Sequence, residues 1–146
     1  MKRIIEIISV LLNKFAAQYS TKERPSPKNR IKRTDIVQDK ETGTITVHGL
    51  KPDTWITTVQ NTNSMDPVFD IGDYLFLEKV TNYSDLQEGD IIVYSAPALI
   101  IHRIISINID TNGERNYTCR GDNCLLSDPY IIKDENVTHV YRGHLN

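Results

Sequence analysis

The chain has 146 residues, of which 39% are apolar and 25% are charged. This length supports one hydrophobic core and excludes two ordinary domains, and two cysteines exclude a secreted scaffold held by many disulfides. The formal net charge of -2 combines a basic segment, residues 1–33 with net +7, and an acidic remainder with net -9.

The first predicted element is an amphipathic helix over residues 1–19. Its apolar residues recur at intervals of three or four and form one stripe: Ile4, Ile8, Leu11 and Phe15. The apolar run 4–12 is nine residues long and contains Glu6, whereas a transmembrane span needs about 20 apolar residues. We therefore expect no transmembrane span and no signal peptide. The stripe suits packing against the body, pairing with a second copy as a homo-oligomer, or lying on a membrane surface.

Residues 20–33 are predicted to be a basic linker, because prolines and many charges leave little apolar surface to bury. A basic arm attracts anionic lipid, so an anionic membrane surface is one expected partner of residues 1–33. The alternative is a solvated segment that only aids solubility. The acidic body disfavours phosphate backbones, so we expect no nucleic-acid partner. The expected location is cytoplasmic or peripheral to a membrane.

The body, residues 34–146, has the short β-branched and aromatic segments that are typical of strands. Ile36-Val37 and Thr44 to His48 predict a hairpin around Gly43. Further strands are predicted at residues 55–60, 74–80, 91–94, 99–109, 116–120 and 137–142. These segments predict a mainly β domain with a curled antiparallel or barrel-like sheet.

Three short motifs follow one another in this body: Ser64-Met65-Asp66-Pro67, Ile101-His102-Arg103 and Arg120-Gly121-Asp122-Asn123. They supply a hydroxyl, an imidazole and a carboxylate, the groups that a serine nucleophile, its proton acceptor and an orienting acid require. Alone, Ser64 is equally typical of a turn serine that caps a backbone N–H. The fixed order favours a serine peptidase with Ser64 as nucleophile and His102 as general base.

The order and spacing of these motifs, with Gly72-Asp73 and the segment 88–94 between them, resemble the type I signal peptidases over residues 55–145. The resemblance is to their archaeal and endoplasmic-reticulum branch, in which histidine stands where the bacterial enzymes carry lysine. It implies a serine endopeptidase that cleaves a polypeptide after small residues. No histidine and cysteine spacing is typical of a zinc site, and we expect no metal and no cofactor.

The resemblance also implies roles for the neighbours of Ser64. The backbone N–H of Ser64 and the hydroxyl of Thr62 match the positions that form the oxyanion hole, where donors stabilise the transition state. Met65 matches an apolar residue of the substrate groove, and ordinary core filling is its alternative role. The histidine-branch pattern has acidic positions at both Asp122 and Asp128. We favour Asp128 as the partner of His102 and Asp122 as a structural acid.

Several neighbouring residues are predicted to be structural. Arg103 alternates with His102 along a strand and is expected to face the other side of the sheet. Asp73 and Asp90 follow glycines in turns and are expected to accept loop N–H groups. Cys119 and Cys124 are expected to be free, buried thiols.

Two other functions stay open at this point, and the first is a soluble, LexA-like processing or self-cleaving peptidase. Signal peptidases carry a membrane anchor ahead of the serine, whereas residues 1–33 offer only a short helix and a linker. LexA-type self-cleaving repressor domains are soluble and share the Ser-Met-x-Pro start, but they use a lysine base where His102 stands. The second alternative is a catalytically silent binding module with a basic arm.

Overall fold

The structure, a computed structural model, describes residues 31–146. The predicted helix over residues 1–19 and residues 20–30 of the predicted linker lie outside this range. The described chain has nine strands: β1 Ile36–Gln38, β2 Ile45–Val47, β3 Trp55–Thr57, β4 Tyr74–Lys79, β5 Ile91–Ser95, β6 Leu99–Ile109, β7 Arg115–Arg120, β8 Ile132–Lys133 and β9 Val137–Leu145. The described chain also has three short 3₁₀ helices: Arg33–Asp35, which precedes β1, and Tyr83–Asp85 and Asp134–Asn136, which lie between strands. None of the helices described for residues 31–146 is long and apolar enough to cross a bilayer.

Seven of these strands form one curled antiparallel sheet with the order β3-β4-β9-β5-β6-β7-β8. Strands β1 and β2 pair with each other in a separate antiparallel ribbon. The predicted mainly β fold with a curled antiparallel sheet is therefore confirmed.

The strands differ from the prediction by more than one residue at three places. The strand predicted at residues 55–60 ends at Thr57, because residues 58–60 leave the ladder and line a groove. Strand β8, Ile132–Lys133, was not predicted, since two residues are too few to show an alternating pattern. Strand β9 continues beyond the predicted end to Leu145, where it pairs with the start of β4.

The central strand β5 is buried on both faces, which explains its uninterrupted apolar sequence. One face contributes to a cluster that we call the groove-side core: Met65, Phe69, Leu75, Leu77, Ile91 and Val93. The other face contributes to the acid-side core: Leu86, Ile92, Tyr94, Ile104, Tyr117, Cys119, Ile132, Val137 and Val140. The alternation of side chains along β5 thus separates the two cores.

Strand pairing brings the separated motifs together. His102 on β6 lies directly opposite Ile92 on β5, and directly opposite residues share a face of the sheet. Arg103 on β6 lies opposite Arg120 at the end of β7. The loop that follows β7 therefore starts beside the strand that carries His102.

Candidate active site

Ser64 lies in the loop 58–73 between β3 and β4, which we call the serine loop. The preceding residue, Asn63, has a φ of 54°, in the left-handed region that asparagine tolerates better than most residues. The Ser64 carbonyl accepts a hydrogen bond from the Asn123 N–H at 2.9 Å. The Asn123 side-chain amide donates to the Asn63 carbonyl, also at 2.9 Å. Asn123 therefore holds the backbone carbonyls on both sides of the Ser64 Cα atom.

The hydroxyl of Ser64 is close to that of Thr62. Thr62 Oγ1 donates to Ser64 Oγ at 3.2 Å, and the Ser64 N–H lies 3.5 Å from Thr62 Oγ1. The two groups that the resemblance assigns to an oxyanion hole thus lie beside the serine hydroxyl. Hydrogen-bond donors grouped in this way are suited to an oxygen that gains negative charge.

His102 faces a carboxylate at its Nδ1 atom. Nδ1 lies 2.8 Å from Asp128 Oδ2 and 3.0 Å from Asp128 Oδ1, and the two side chains are only 12% and 11% exposed. The Asp128 backbone N–H donates to the Cys119 carbonyl at 2.8 Å, which fixes the acid beside β7. A carboxylate at Nδ1 favours the tautomer that carries its proton there, so the lone pair lies on Nε2.

Gly121 lies where the histidine meets the serine loop. A Cβ atom on Gly121 would stand 2.5 Å from the Ser64 carbonyl oxygen and 3.0 Å from His102 Nε2. The missing side chain therefore leaves room for both His102 Nε2 and the Ser64 carbonyl beside this glycine. Among the described residues, no hydrogen bond joins the Ser64 hydroxyl to His102. Catalytic hydrogen bonds of this kind often tighten only when substrate is bound.

Ser64 and His102 line the same groove, which has a volume of about 480 Å³. Apolar side chains of the groove-side core form much of its lining, among them Met65, Phe69, Leu75, Leu77 and Val93. Met65 is 3% exposed and contributes to both the groove and the core, so its two predicted roles are compatible. A hydroxyl and an imidazole at the wall of an apolar groove can act on an extended chain bound along it.

Asp122 contacts an arginine. Arg103 Nε donates to Asp122 Oδ1 at 2.8 Å, and Arg103 Nη2 donates to Oδ2 at 2.5 Å. The third arm of the guanidinium, Nη1, donates to the Gly89 carbonyl at 2.9 Å. Both side chains of this pair are less than 10% exposed. Arg103 on β6 therefore links the loop after β7 to the turn before β5. Asp128, in contrast, is the acid in contact with His102.

The sequence comparisons give relatives of known name. No protein-family model matches the chain. Signal peptidase I W of Bacillus subtilis is 32% identical over 82 residues, which cover 55% of this chain and 43% of the relative. The signal peptidase complex catalytic subunit SEC11 of Eremothecium gossypii is 31% identical over 93 residues, 56% of this chain and 54% of the relative. The human subunit SEC11C is 33% identical over 76 residues, 49% of this chain and 38% of the relative.

These similarities confirm the resemblance to the type I signal peptidases. The chain spans about half the length of the curated relatives it matches. Bacterial and eukaryotic signal peptidases are both among these relatives.

Two other acids of this signal-peptidase-like chain accept backbone hydrogen bonds in turns, and its two cysteines are free thiols. Asp73 Oδ2 accepts the Asp70 N–H at 3.0 Å, and Asp90 Oδ2 accepts the Gln87 N–H at 3.0 Å, as expected for turn acids. Both cysteines are free, but Cys124 is only half-buried, which corrects the expectation that both are buried. Burial raises the pKa of the Cys119 thiol well above its usual value, and the nearby Asp128 carboxylate adds to the effect.

Two residues of the site were missed as functional groups. Tyr94 is fully buried, and its hydroxyl donates to Asp128 Oδ2 at 2.5 Å. Burial, together with this hydrogen bond, raises the pKa of Tyr94 far above its usual value. Its sequence signal is a phenol inside a buried strand, since a buried tyrosine hydroxyl usually has a partner. Asn123 belonged to a recognised motif, but no pattern indicated that it contacts the serine loop.

Within residues 31–146, no group of His, Cys, Asp and Glu side chains is arranged to hold a metal ion. Two histidines outside the site, His139 and His144, contact aromatic rings. His139 lies against Trp55 with 5.4 Å between ring centroids, and His144 Nδ1 lies 2.5 Å from the Tyr141 hydroxyl. The groups that the structure places together at the site are the Ser64 hydroxyl, the His102 imidazole and the Asp128 carboxylate.

Proposed function

We propose that this chain is a serine endopeptidase of the signal peptidase type, with Ser64 as nucleophile, His102 as general base and Asp128 as the acid that orients His102. The observation that carries the proposal is the pairing of His102 Nδ1 with the Asp128 carboxylate at 2.8 Å, beside the groove that Ser64 also lines. An imidazole held in this way accepts a proton at Nε2 and gains a carboxylate that stabilises its charged form.

In the proposed reaction, Ser64 Oγ attacks the carbonyl carbon of the scissile peptide bond while His102 Nε2 takes the hydroxyl proton. The Ser64 N–H and the Thr62 hydroxyl donate to the oxyanion of the tetrahedral intermediate. Collapse of this intermediate breaks the C–N bond, and His102 returns the proton to the leaving amine. A water molecule, deprotonated by His102, then attacks the acyl-enzyme ester and regenerates Ser64.

The proposed substrate is a polypeptide with small residues before the scissile bond. The apolar groove beside Ser64 supports binding of an extended segment, and the names of the relatives support signal peptides as substrates. Two relatives are named as subunits of a signal peptidase complex, which supports a protein partner for this chain. We assign the peptidase to residues 34–146, preceded by the helix predicted from the sequence at residues 1–19 and the basic linker predicted at residues 20–33.

A peptide-cleavage assay on the full chain tests this proposal. The substrate is a fluorogenic peptide with Ala at the first and third positions before the bond, the pattern of signal-peptide cleavage sites. A matched peptide carries Leu at both positions. We expect cleavage of the Ala peptide only, with the acyl intermediate on Ser64 detected by mass spectrometry. Absence of cleavage with and without lipid vesicles, or full activity in Ser64→Ala, contradicts the proposal.

The proposed role of residues 1–33 has its own test. Basic residues and an apolar stripe favour binding to anionic lipid that weakens with salt. We expect the full chain to sediment with anionic vesicles at low salt and to be released at high salt. If the chain stays in the supernatant at low salt, the result contradicts lipid binding and favours the alternatives for the predicted helix, packing against the body or pairing with a second copy.

A further inference from the structure

Tyr94 connects the central strand to the candidate acid. It is the fourth residue of β5 and is fully buried in the acid-side core. Its hydroxyl donates to Asp128 Oδ2 at 2.5 Å, a contact across 34 residues of sequence. The same oxygen lies 2.8 Å from His102 Nδ1. One carboxylate oxygen therefore receives donors from the base and from the tyrosine.

Asp128 needs such an anchor because of its position. It lies in the loop between β7 and β8, outside the strands of the sheet. Its neighbours Leu126 and Ile131 are 81% and 80% exposed, so side-chain packing at these positions does not hold the loop. The Asp128 N–H to the Cys119 carbonyl fixes the backbone. A carboxylate can still rotate about its Cα–Cβ and Cβ–Cγ bonds when only its backbone is fixed.

The geometry points to Tyr94 as a positioning residue, which holds the Asp128 carboxylate in the orientation that His102 requires; this inference rests on the proposed function. Tyr94 and His102 lie on the same face of two paired strands, since Ile92 lies opposite His102 and Tyr94 follows two residues later. The sheet thus sets the separation between the base and the anchor of its acid. Preorganised partners of this kind lower the reorganisation that catalysis requires.

The direction of the hydrogen bond suits this role. A tyrosine hydroxyl donates to an ionised carboxylate, which only accepts. Because burial keeps the pKa of Tyr94 high, the phenol remains protonated and keeps its proton for Asp128. Hydrogen bonds to charged groups are stronger than those between neutral groups, and a buried one restricts both partners.

The matched pair Tyr94→Phe and Tyr117→Phe separates positioning from general stabilisation. Tyr117 is also buried in the acid-side core, 2% exposed, and its hydroxyl also donates to a carboxylate at 2.5 Å, that of Asp134. We expect both substitutions to lower the melting temperature by similar amounts. Only Tyr94→Phe should lower kcat, by about tenfold with KM unchanged, because a charged group loses one hydrogen bond. In an Asp128→Asn background, the same substitution should cost less than about twofold.

A spectroscopic measurement tests the inference independently of activity. In protein labelled with ¹⁵N-histidine, the Nδ1–H resonance of His102 reports its hydrogen bond to Asp128. We expect Tyr94→Phe to shift or broaden this resonance and Tyr117→Phe to leave it unchanged. If no peptide is cleaved but Tyr94→Phe alone perturbs His102, the proposed function fails and the positioning role stands. An unperturbed resonance in folded Tyr94→Phe, or equal effects of both substitutions on kcat or on the resonance, overturns the positioning role.

Discussion

The two halves of the candidate site are held in different ways. His102 is a residue of β6, its side chain is 12% exposed, and its acid partner contacts a buried tyrosine. Ser64 lies in a loop, and its backbone is fixed by hydrogen bonds from Asn123 rather than by a strand. The candidate base is therefore positioned by the sheet, whereas the candidate nucleophile is positioned by a second loop. Substitutions around Ser64 and around His102 should consequently differ in how much they lower kcat and stability.

Removal of either reacting group should have the largest effect. Ser64→Ala removes the oxygen that is proposed to attack the carbonyl carbon. His102→Ala removes the nitrogen that is proposed to take the proton. We expect losses in kcat on the order of 10⁵-fold to 10⁶-fold, with the double variant no worse than the singles. Peptide cleavage and thermal melting of the three variants check this. Additive losses in the double variant contradict a mechanism in which the two residues act as a unit.

Neutralisation of Asp128, the acid beside His102, should have the second-largest effect on turnover. Asp128→Asn keeps the shape of the side chain but removes the charge that faces His102 Nδ1. Loss of a triad acid typically lowers turnover by about 10⁴-fold, so we expect a reduction of ~10³-fold to 10⁴-fold. Steady-state kinetics, with circular dichroism as the control for folding, measure it. Turnover within about tenfold of the unmodified chain argues against Asp128 as the partner acid.

Loss of the Thr62 hydroxyl beside Ser64 should lower kcat by a smaller factor. Thr62→Val preserves volume and removes the donor beside Ser64 Oγ. Loss of one oxyanion donor costs about 10²-fold to 10³-fold in kcat, and we expect a reduction in this range. Thr62→Ser keeps the hydroxyl and is the matched control, with activity close to that of the unmodified chain. Equal kinetics for the Val and Ser variants contradict a role for the hydroxyl.

The smallest kinetic effect is expected at the other acid. Asp122→Asn leaves the buried Arg103 charge without its ionised partner, and breaking a buried pair costs about 3–5 kcal/mol. We expect a lower free energy of unfolding by about this amount and little change in kcat below the melting transition. Urea denaturation and kinetics on one preparation compare Asp122→Asn with Asp128→Asn. A kcat loss at Asp122 equal to that at Asp128, with unchanged stability, exchanges the two assignments.

The sequence predicted the sheet better than the contacts within the site. The apolar runs of β5 and β6 are long enough for their composition to decide, and both strands were predicted close to their observed bounds. The order of the motifs made Ser64, His102 and Asp122 candidates, and the family resemblance added Asp128. No sequence pattern links Tyr94 to Asp128, because this contact depends on how a loop returns over the sheet. The clamp of Asn123 on the serine loop is a tertiary contact of the same kind.

The loop after β7 carries a spacing requirement. Asn123 reaches the serine loop, and Asp128 reaches His102 five residues later. The five-residue step from Asn123 to Asp128 therefore limits how far apart the serine loop and His102 can lie. An inserted or deleted residue between these two positions would displace one group while the other stayed in place. The segment from Pro129 to Ile131 does not connect two contacts of the site. We therefore expect insertions and deletions among related chains in this segment, and none between Asn123 and Asp128.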